Sequence, residues 1–185
     1  MPFRSFHQTL LCCSQARWSA HLTIATRRNI AELCAAFARQ VAADAAPTLK
    51  RAAVAIALTE GDDGNGTAFL LTRRSARLRA HSAQWALPGG RCDAGETQAE
   101  AALRELHEEL GLKLSERDVL GLLDDYPTRS GYLITPVVVW AGAHAALVPN
   151  PDEVASVHRI GLDAIELDDA FTFVTIDRKS TRLNS

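Results

Sequence analysis

Apolar residues recur along this chain at two spacings, and the switches between them outline its elements. From Thr97 to Gly111 the apolar positions are Ala99, Ala102, Leu103, Leu106 and Leu110, the i, i+3, i+4 rhythm of a helix with one buried stripe. Thr97 as N-cap and Glu100 three residues later make a capping box, and Gly111 stands where a helix end favours a left-handed residue. An earlier helix is predicted from Asn29, as its cap, to about Asp44. Ile30, Leu33, Cys34, Phe37 and Val41 form its apolar face, and Pro47 closes the segment. Ala52–Leu58 reads as a buried strand, Glu60–Gly66 as a turn cluster and Thr67–Thr72 as the returning arm of a hairpin. Trp85–Leu87 is a short strand running into Pro88-Gly89-Gly90, and Val119–Leu123 and Leu133–Ala141 are further strands. Pro136 has no N–H to give a sheet, so it places the last of these at an edge or a bulge. Val154–Ile160 and Ala170–Ile176 are additional strand candidates, and Gly161–Leu167 is a short helix.

Away from the stripe of the 97–111 helix lie Arg104, Glu105, Glu108 and Glu109. Glu105 and Glu109 are one turn apart and project from one side, with Glu108 beside them. Like charges at that spacing cost an isolated helix only about 0.2–0.5 kcal/mol per pair, so three glutamates alone read as a solvated face. The preceding loop changes that reading. Gly90, Glu96, Arg104, Glu105, Leu106, Glu108, Glu109, Gly111 and Leu112 meet the pattern G-x5-E-x7-R-E-U-x-E-E-x-G-U without a departure, where U is a bulky aliphatic residue.

That pattern resembles the signature of the Nudix hydrolases, which cleave a diphosphate linked to another moiety. The resemblance implies an α/β fold, a Nudix-type α/β/α sandwich with a mixed β-sheet. It also implies a divalent cofactor, Mg2+ or Mn2+. Such an ion neutralises the diphosphate and lowers the pKa of bound water, and it wants hard oxygen ligands. By the same resemblance Glu105 and Glu109 are the principal metal ligands, with Glu108 sharing metal binding or water activation; these three are the catalytic candidates. Glu96 and Arg104 pair to hold the loop on the helix. The general base differs among such enzymes and stays open here. Glu153, in the acidic turn Asn150–Glu153, is a possible additional base or simply a surface residue.

Arg73, Arg74, Arg77 and Arg79 crowd a stretch that holds no acid between Asp63 and Asp93. Alone this is a solvated basic loop; beside a diphosphate site its guanidinium groups suit phosphate. The stretch also resembles the signature of the coenzyme A pyrophosphatases, L-L-T-x-R-S-x3-R-x3-G-x3-F-P-G-G. Leu70, Leu71, Thr72, Arg74, Ser75, Arg79, Pro88, Gly89 and Gly90 agree with it, while Ala83 stands where glycine is expected and Leu87 where phenylalanine is. The implied substrate is coenzyme A or a thioester of it, split into 3′,5′-ADP and 4′-phosphopantetheine or its acyl form. The substrate-binding candidates are Arg74, Arg79, His81, Gln84, Gly89 and Gly90. The alternatives are a Nudix pyrophosphatase acting on another nucleoside diphosphate derivative such as ADP-ribose or a dinucleotide, a non-catalytic Nudix-like binding module, and an isopentenyl-diphosphate isomerase of the same fold.

Composition adds bounds. A chain of 185 residues fits one domain with a proper core. No apolar run approaches the roughly 20 residues of a membrane helix. The net charge of −2 gives no reason to expect nucleic acid as a partner. Cys12, Cys13, Cys34 and Cys92 show neither C-x-x-C spacing nor a disulfide-dense pattern, so a reducing, cytoplasmic setting is expected. Cys92 reads as an incidental loop residue, since a metal route needs no thiol nucleophile. Residues 1–28 carry arginines and no acid. They read as a disordered or wrongly started extension, and a mitochondrial location is the alternative if the extension is real. The domain is expected to occupy 29–176. Residues 177–185 resemble a translated sequencing adapter and are expected to be a non-native tail on a domain incomplete at its C-terminus.

Overall fold

Ala53, Ala55 and Ala57 alternate with Val54, Ile56 and Leu58, so one face of this strand is lined by methyl groups and the other by larger side chains. The strand, β1 (Lys50–Glu60), lies inside a mixed eight-stranded sheet of the computed structural model, which describes residues 22–42, 49–62, 64, 66–76, 84–143 and 145–165. On one side β7 (Tyr132–Gly142) runs parallel to it along nearly its whole length. On the other, β2 (Thr67–Arg74) pairs antiparallel with β1 only at Leu58–Glu60. The two strands then part, and a wedge enters between them. In that wedge β3 (Trp85–Ala86) pairs with β2, and β4 (Gly89–Arg91) pairs with Ala52–Val54 of β1. β8 (Val154–Gly161) covers the far side of β2, while β5 (Val119–Leu122) and β6 (Tyr126–Pro127) share the far side of β7.

The methyl-lined face takes a helix at close range. Helix α2 (Gln98–Leu110) sets Ala101, Ala102, Leu106 and Leu110 on Ala53, Ala55, Ala57, Leu70, Val137 and Val139, all fully buried. On the opposite face helix α1 (Ile24–Ala36) buries Ile30 with Leu58, Val138 and Leu162. Helix, mixed sheet, helix is the α/β/α layering expected from the sequence. No helix among the described residues is long and apolar enough to cross a membrane.

The caps of α2 form as expected. The Thr97 hydroxyl accepts the Glu100 N–H at 3.2 Å, and the Glu100 carboxylate accepts the Thr97 N–H at 2.8 Å. Gly111 closes the helix at φ 71°, a left-handed position that costs a side chain dearly. Two further carbonyls at this end, on Glu109 and Leu110, accept N–H groups from Asn150 and Val148 at 2.8 Å. That pairing ties the acidic Asn150–Glu153 turn to the end of the acid-bearing helix.

Three expectations are corrected. Helix α1 is capped by Thr23 rather than Asn29 and ends at Ala36 rather than near Asp44. Residues after it turn extended because the β5–β6 loop offers stronger partners. Asp124 accepts the Gln40 N–H at 2.7 Å, and Arg39 meets the fully buried Asp125 side chain at 2.7 Å. Burial would raise the Asp125 pKa, but the Thr135 hydroxyl and Arg39 override it and hold the group below its ordinary value. Pro136 does not sit on an edge strand, since β7 has partners on both sides. It falls in the gap between β5 and β6, where its carbonyl accepts the Leu123 N–H at 2.9 Å and its missing N–H leaves no strand unpaired. Finally, the strand begun at Trp85 stops at Ala86, and the Gly89-Gly90 it was expected to run into belongs to a strand of its own, Gly89–Arg91. The segment 170–176 and the tail 177–185 lie outside the described residues.

Candidate active site

Arg104 is the hub of the loop–helix junction. Its Nε donates to Glu96 at 2.9 Å and one terminal nitrogen to the other Glu96 oxygen at 3.2 Å. That same nitrogen donates to the Arg91 carbonyl at 2.9 Å, while the second terminal nitrogen donates to Glu105 at 2.9 Å and Glu108 at 3.0 Å. These bonds hold the Arg104 guanidinium well above its ordinary pKa, chiefly through Glu96, and the same contact lowers Glu96. The loop–helix pairing inferred from sequence is thus matched by a geometry that also takes in Glu105 and Glu108. Glu108 remains 51% exposed and Glu105 only 14%.

One turn further on, Glu109 is buried to 3% exposure in the wedge of the sheet. Burial pushes its carboxyl up to about 7, and Glu105 adds to the rise; Arg74, 3.7 Å away, and a Gly89 N–H oppose it. Glu105 is raised as well, by burial against the pull of Arg104. Glu153 adds its repulsion to both carboxylates, which puts the Asn150–Glu153 turn on the same site. The Nε of Arg74 is buried and without a hydrogen-bond partner among the described residues. Both glycines of β4 are required by close approach. A Cβ at Gly89 would run into the Ala53 carbonyl, and one at Gly90 into the Glu105 carboxylate.

The sequence from 49 to 183, well over half of the chain, matches the profile of the NUDIX domain. The chain belongs to the Nudix family. It is similar to the uncharacterized Nudix hydrolase NudL of Pectobacterium atrosepticum, at 40% identity over 115 residues, 62% of this chain and 60% of that protein. It is also similar to Nudix hydrolase 3 of Caenorhabditis elegans, at 39% identity over 100 residues, 52% of this chain and 42% of that one. The chain therefore spans about half the length of these curated relatives. Among solved structures it is similar to the Nudix hydrolase RenU of M. smegmatis, with a TM-score of 0.51 and 27% identity, over 66% of this chain and 78% of that one.

Nudix hydrolases generally use divalent metal ions. Among the described residues no three acids, histidines or cysteines are gathered closely enough to hold an ion as they stand, and Glu108 is turned to Arg104. The donor chemistry nevertheless fits a hard cation. Glu105 and Glu109 are desolvated carboxylates that repel each other, and Arg74 and the Gly89 N–H only partly offset the charge of the deeper one. Of the other expected residues, Gln84 is exposed and its carbonyl accepts the Arg74 N–H at 2.9 Å. Arg79, His81 and the Ala83 departure lie outside the described residues. Burial, with Glu96 adding, pushes the Cys92 thiol up, away from the thiolate a nucleophile needs. Two features had no signal in the sequence: the Gly89 N–H on Glu109, and the Arg91 carbonyl on Arg104. Both are backbone groups, and only the short β4 pairing aims them.

Proposed function

We propose that this Nudix chain hydrolyses the diphosphate of coenzyme A or its thioesters, giving 3′,5′-ADP and 4′-phosphopantetheine or its acyl form. The observation that carries the reading is the contact of Arg74 with Glu109 at 3.7 Å, with the Arg74 Nε left over. Arg74 belongs to the L-L-T-x-R-S run that resembles the coenzyme A pyrophosphatases, and Glu109 to the Nudix signature. One guanidinium thereby spans the two motifs, and the 28% of the Arg74 side chain left exposed is open to a phosphate oxygen.

In this reading Glu105 and Glu109, with Glu108, would hold the cation, Mg2+ or Mn2+. The bound ion neutralises the diphosphate and makes its water more acidic. The chain supplies the rest. Arg104 keeps Glu105 at the mouth of the wedge, Gly89 and Gly90 let the carboxylates lie against β4, and Arg74 neutralises a phosphate oxygen. Glu153 accepts the proton of the attacking water, whose oxygen bonds to one phosphorus as the bridging P–O bond breaks.

The departures at Ala83 and Leu87 favour a second reading, a diphosphatase for another nucleoside diphosphate derivative such as ADP-ribose. Mass spectrometry of products after coenzyme A or ADP-ribose is incubated with the protein and magnesium decides between them. We expect 3′,5′-ADP and phosphopantetheine from coenzyme A; AMP and ribose phosphate from ADP-ribose, with coenzyme A untouched, rejects the first reading.

A further inference from the structure

Before it enters β8 the chain turns at Asn150-Pro151-Asp152-Glu153, and the residues suit the turn. Asparagine is favoured at the first position of a type I turn, and proline at the second already has the φ required there. The Asn150 carbonyl accepts the Glu153 N–H at 3.1 Å and the Val154 N–H at 2.8 Å. The rest of Asn150 works in two directions. Its N–H donates to the Glu109 carbonyl at 2.8 Å. Its Oδ1 accepts the Asp152 N–H at 3.1 Å, and its Nδ2 donates to Glu153 Oε1 at 3.3 Å. One residue therefore joins the backbone of Glu109 to the carboxylate of Glu153.

The Glu153 backbone is also held from β2, where the Ser75 N–H donates to its carbonyl at 2.8 Å. Its long side chain has a different constraint. The Asn150 amide supplies the hydrogen bond to that carboxylate among the described residues, while Glu105 and Glu109 repel it. A carboxylate so repelled turns to water unless a donor opposes the push, and a hydrogen bond to an ionised group is the stronger kind. Aspartate or serine would serve the turn, but neither brings an amide donor. Asparagine offers an acceptor to the turn and a donor to Glu153 at once.

We propose that Asn150 is a positioning residue for the hydrolysis: its amide aims the Glu153 carboxylate at the attacking water, and its N–H ties that aim to the end of α2. This rests on the reading of Glu153 as the acceptor of the water's proton. Asn150 acts through Glu153 and takes no part in binding substrate, so its effect falls on kcat and not on KM.

The test is a double-mutant cycle, run with whichever of coenzyme A and ADP-ribose is turned over, so that the identity of the substrate does not enter. Asn150→Ser keeps a turn-forming acceptor, adds no charge and removes the amide donor. It should lower kcat about tenfold, with KM within about twofold of the parent and the thermal midpoint within about 2 °C. Asn150→Asp should lose at least as much, whereas a residue needed only for the turn would be replaced by aspartate without loss. Glu153→Gln should lower kcat about a hundredfold, the scale of a general base, and adding Asn150→Ser to it should cost less than a further twofold. Independently of turnover, the Asn150 side-chain amide signals in proton–nitrogen correlation spectra should move on Glu153→Gln. A slow Glu153→Gln beside parental kcat in both Asn150 variants overturns the positioning and leaves the base reading intact; so do additive losses in the double variant, or unmoved amide signals. Glu153→Gln within about threefold of the parent overturns the base reading itself, and Asn150 then has nothing to position.

Discussion

Glu105 and Glu109 lie one turn apart on the same helix, yet their surroundings differ. Glu105 takes a 2.9 Å hydrogen bond from Arg104, which also holds Glu96 and Glu108 near the surface. Glu109 is closed under β4 with Arg74 at 3.7 Å and with Glu105 and Glu153 both repelling it. The first arrangement is satisfied and spends its charge on holding the loop to the helix. The second leaves part of its charge uncompensated, and a carboxylate buried in that way would be stabilised further by a hard cation. The comparison teaches that one acid face can hold a structural lock and a reserve of uncompensated charge side by side.

The sharpest way to break the comparison is to remove the reserve. Glu109→Gln should cut turnover by at least about a thousandfold by deleting a metal ligand, while far-UV circular dichroism stays unchanged. Activity within about tenfold of the parent would remove Glu109 from the metal assignment. The lock is tested next. Arg104→Met should destabilise the protein by about 2–3 kcal/mol in urea unfolding, because it strands Glu96 and Glu105 without their donor. An unchanged midpoint would make the hub a surface ornament.

A pH titration of the metal-free protein sharpens the contrast further. Glu109 titrates near 7 when folded and near 4.5 when unfolded, so between those values the folded state holds the proton longer. Stability should therefore fall as pH rises through this window, by on the order of 3 kcal/mol, and level off above it. Millimolar magnesium should flatten the slope, since the ion replaces the proton. A stability that climbs with pH across the window contradicts the burial of Glu109. The smallest effect belongs to Glu96→Gln. Removing one partner of a part-exposed pair should cost about 1 kcal/mol and leave this pH slope in place.

Much of this was legible in the residues themselves. The 3.6-residue rhythm and the caps at Thr97 and Gly111 define α2 to the residue, because local hydrogen bonds and a left-handed glycine operate without help from distant chain. Most strands were found for the same reason, their alternation being a local property. Helix α1 was misjudged because its apolar spacing continues past Ala36, whereas the Asp124–Asp125 partners that draw residues 39–42 into extended form arrive from more than 80 positions away. Pro136 was placed at an edge or a bulge because its missing donor is visible in sequence, and the gap between β5 and β6 that absorbs it is not.

The order of residues by itself determined that Glu105, Glu108 and Glu109 share a helix with Arg104, since the pitch of a helix turns spacing along the chain into position around it. It could not determine which acid would be locked and which kept in reserve. That depends on where the parting of β1 and β2 admits β4, on Arg74 arriving from a neighbouring strand, and on the 150–153 turn folding back over the end of α2. Desolvation and charge repulsion depend on everything within a few ångströms, whatever its distance along the chain, and only the folded chain decides what that is.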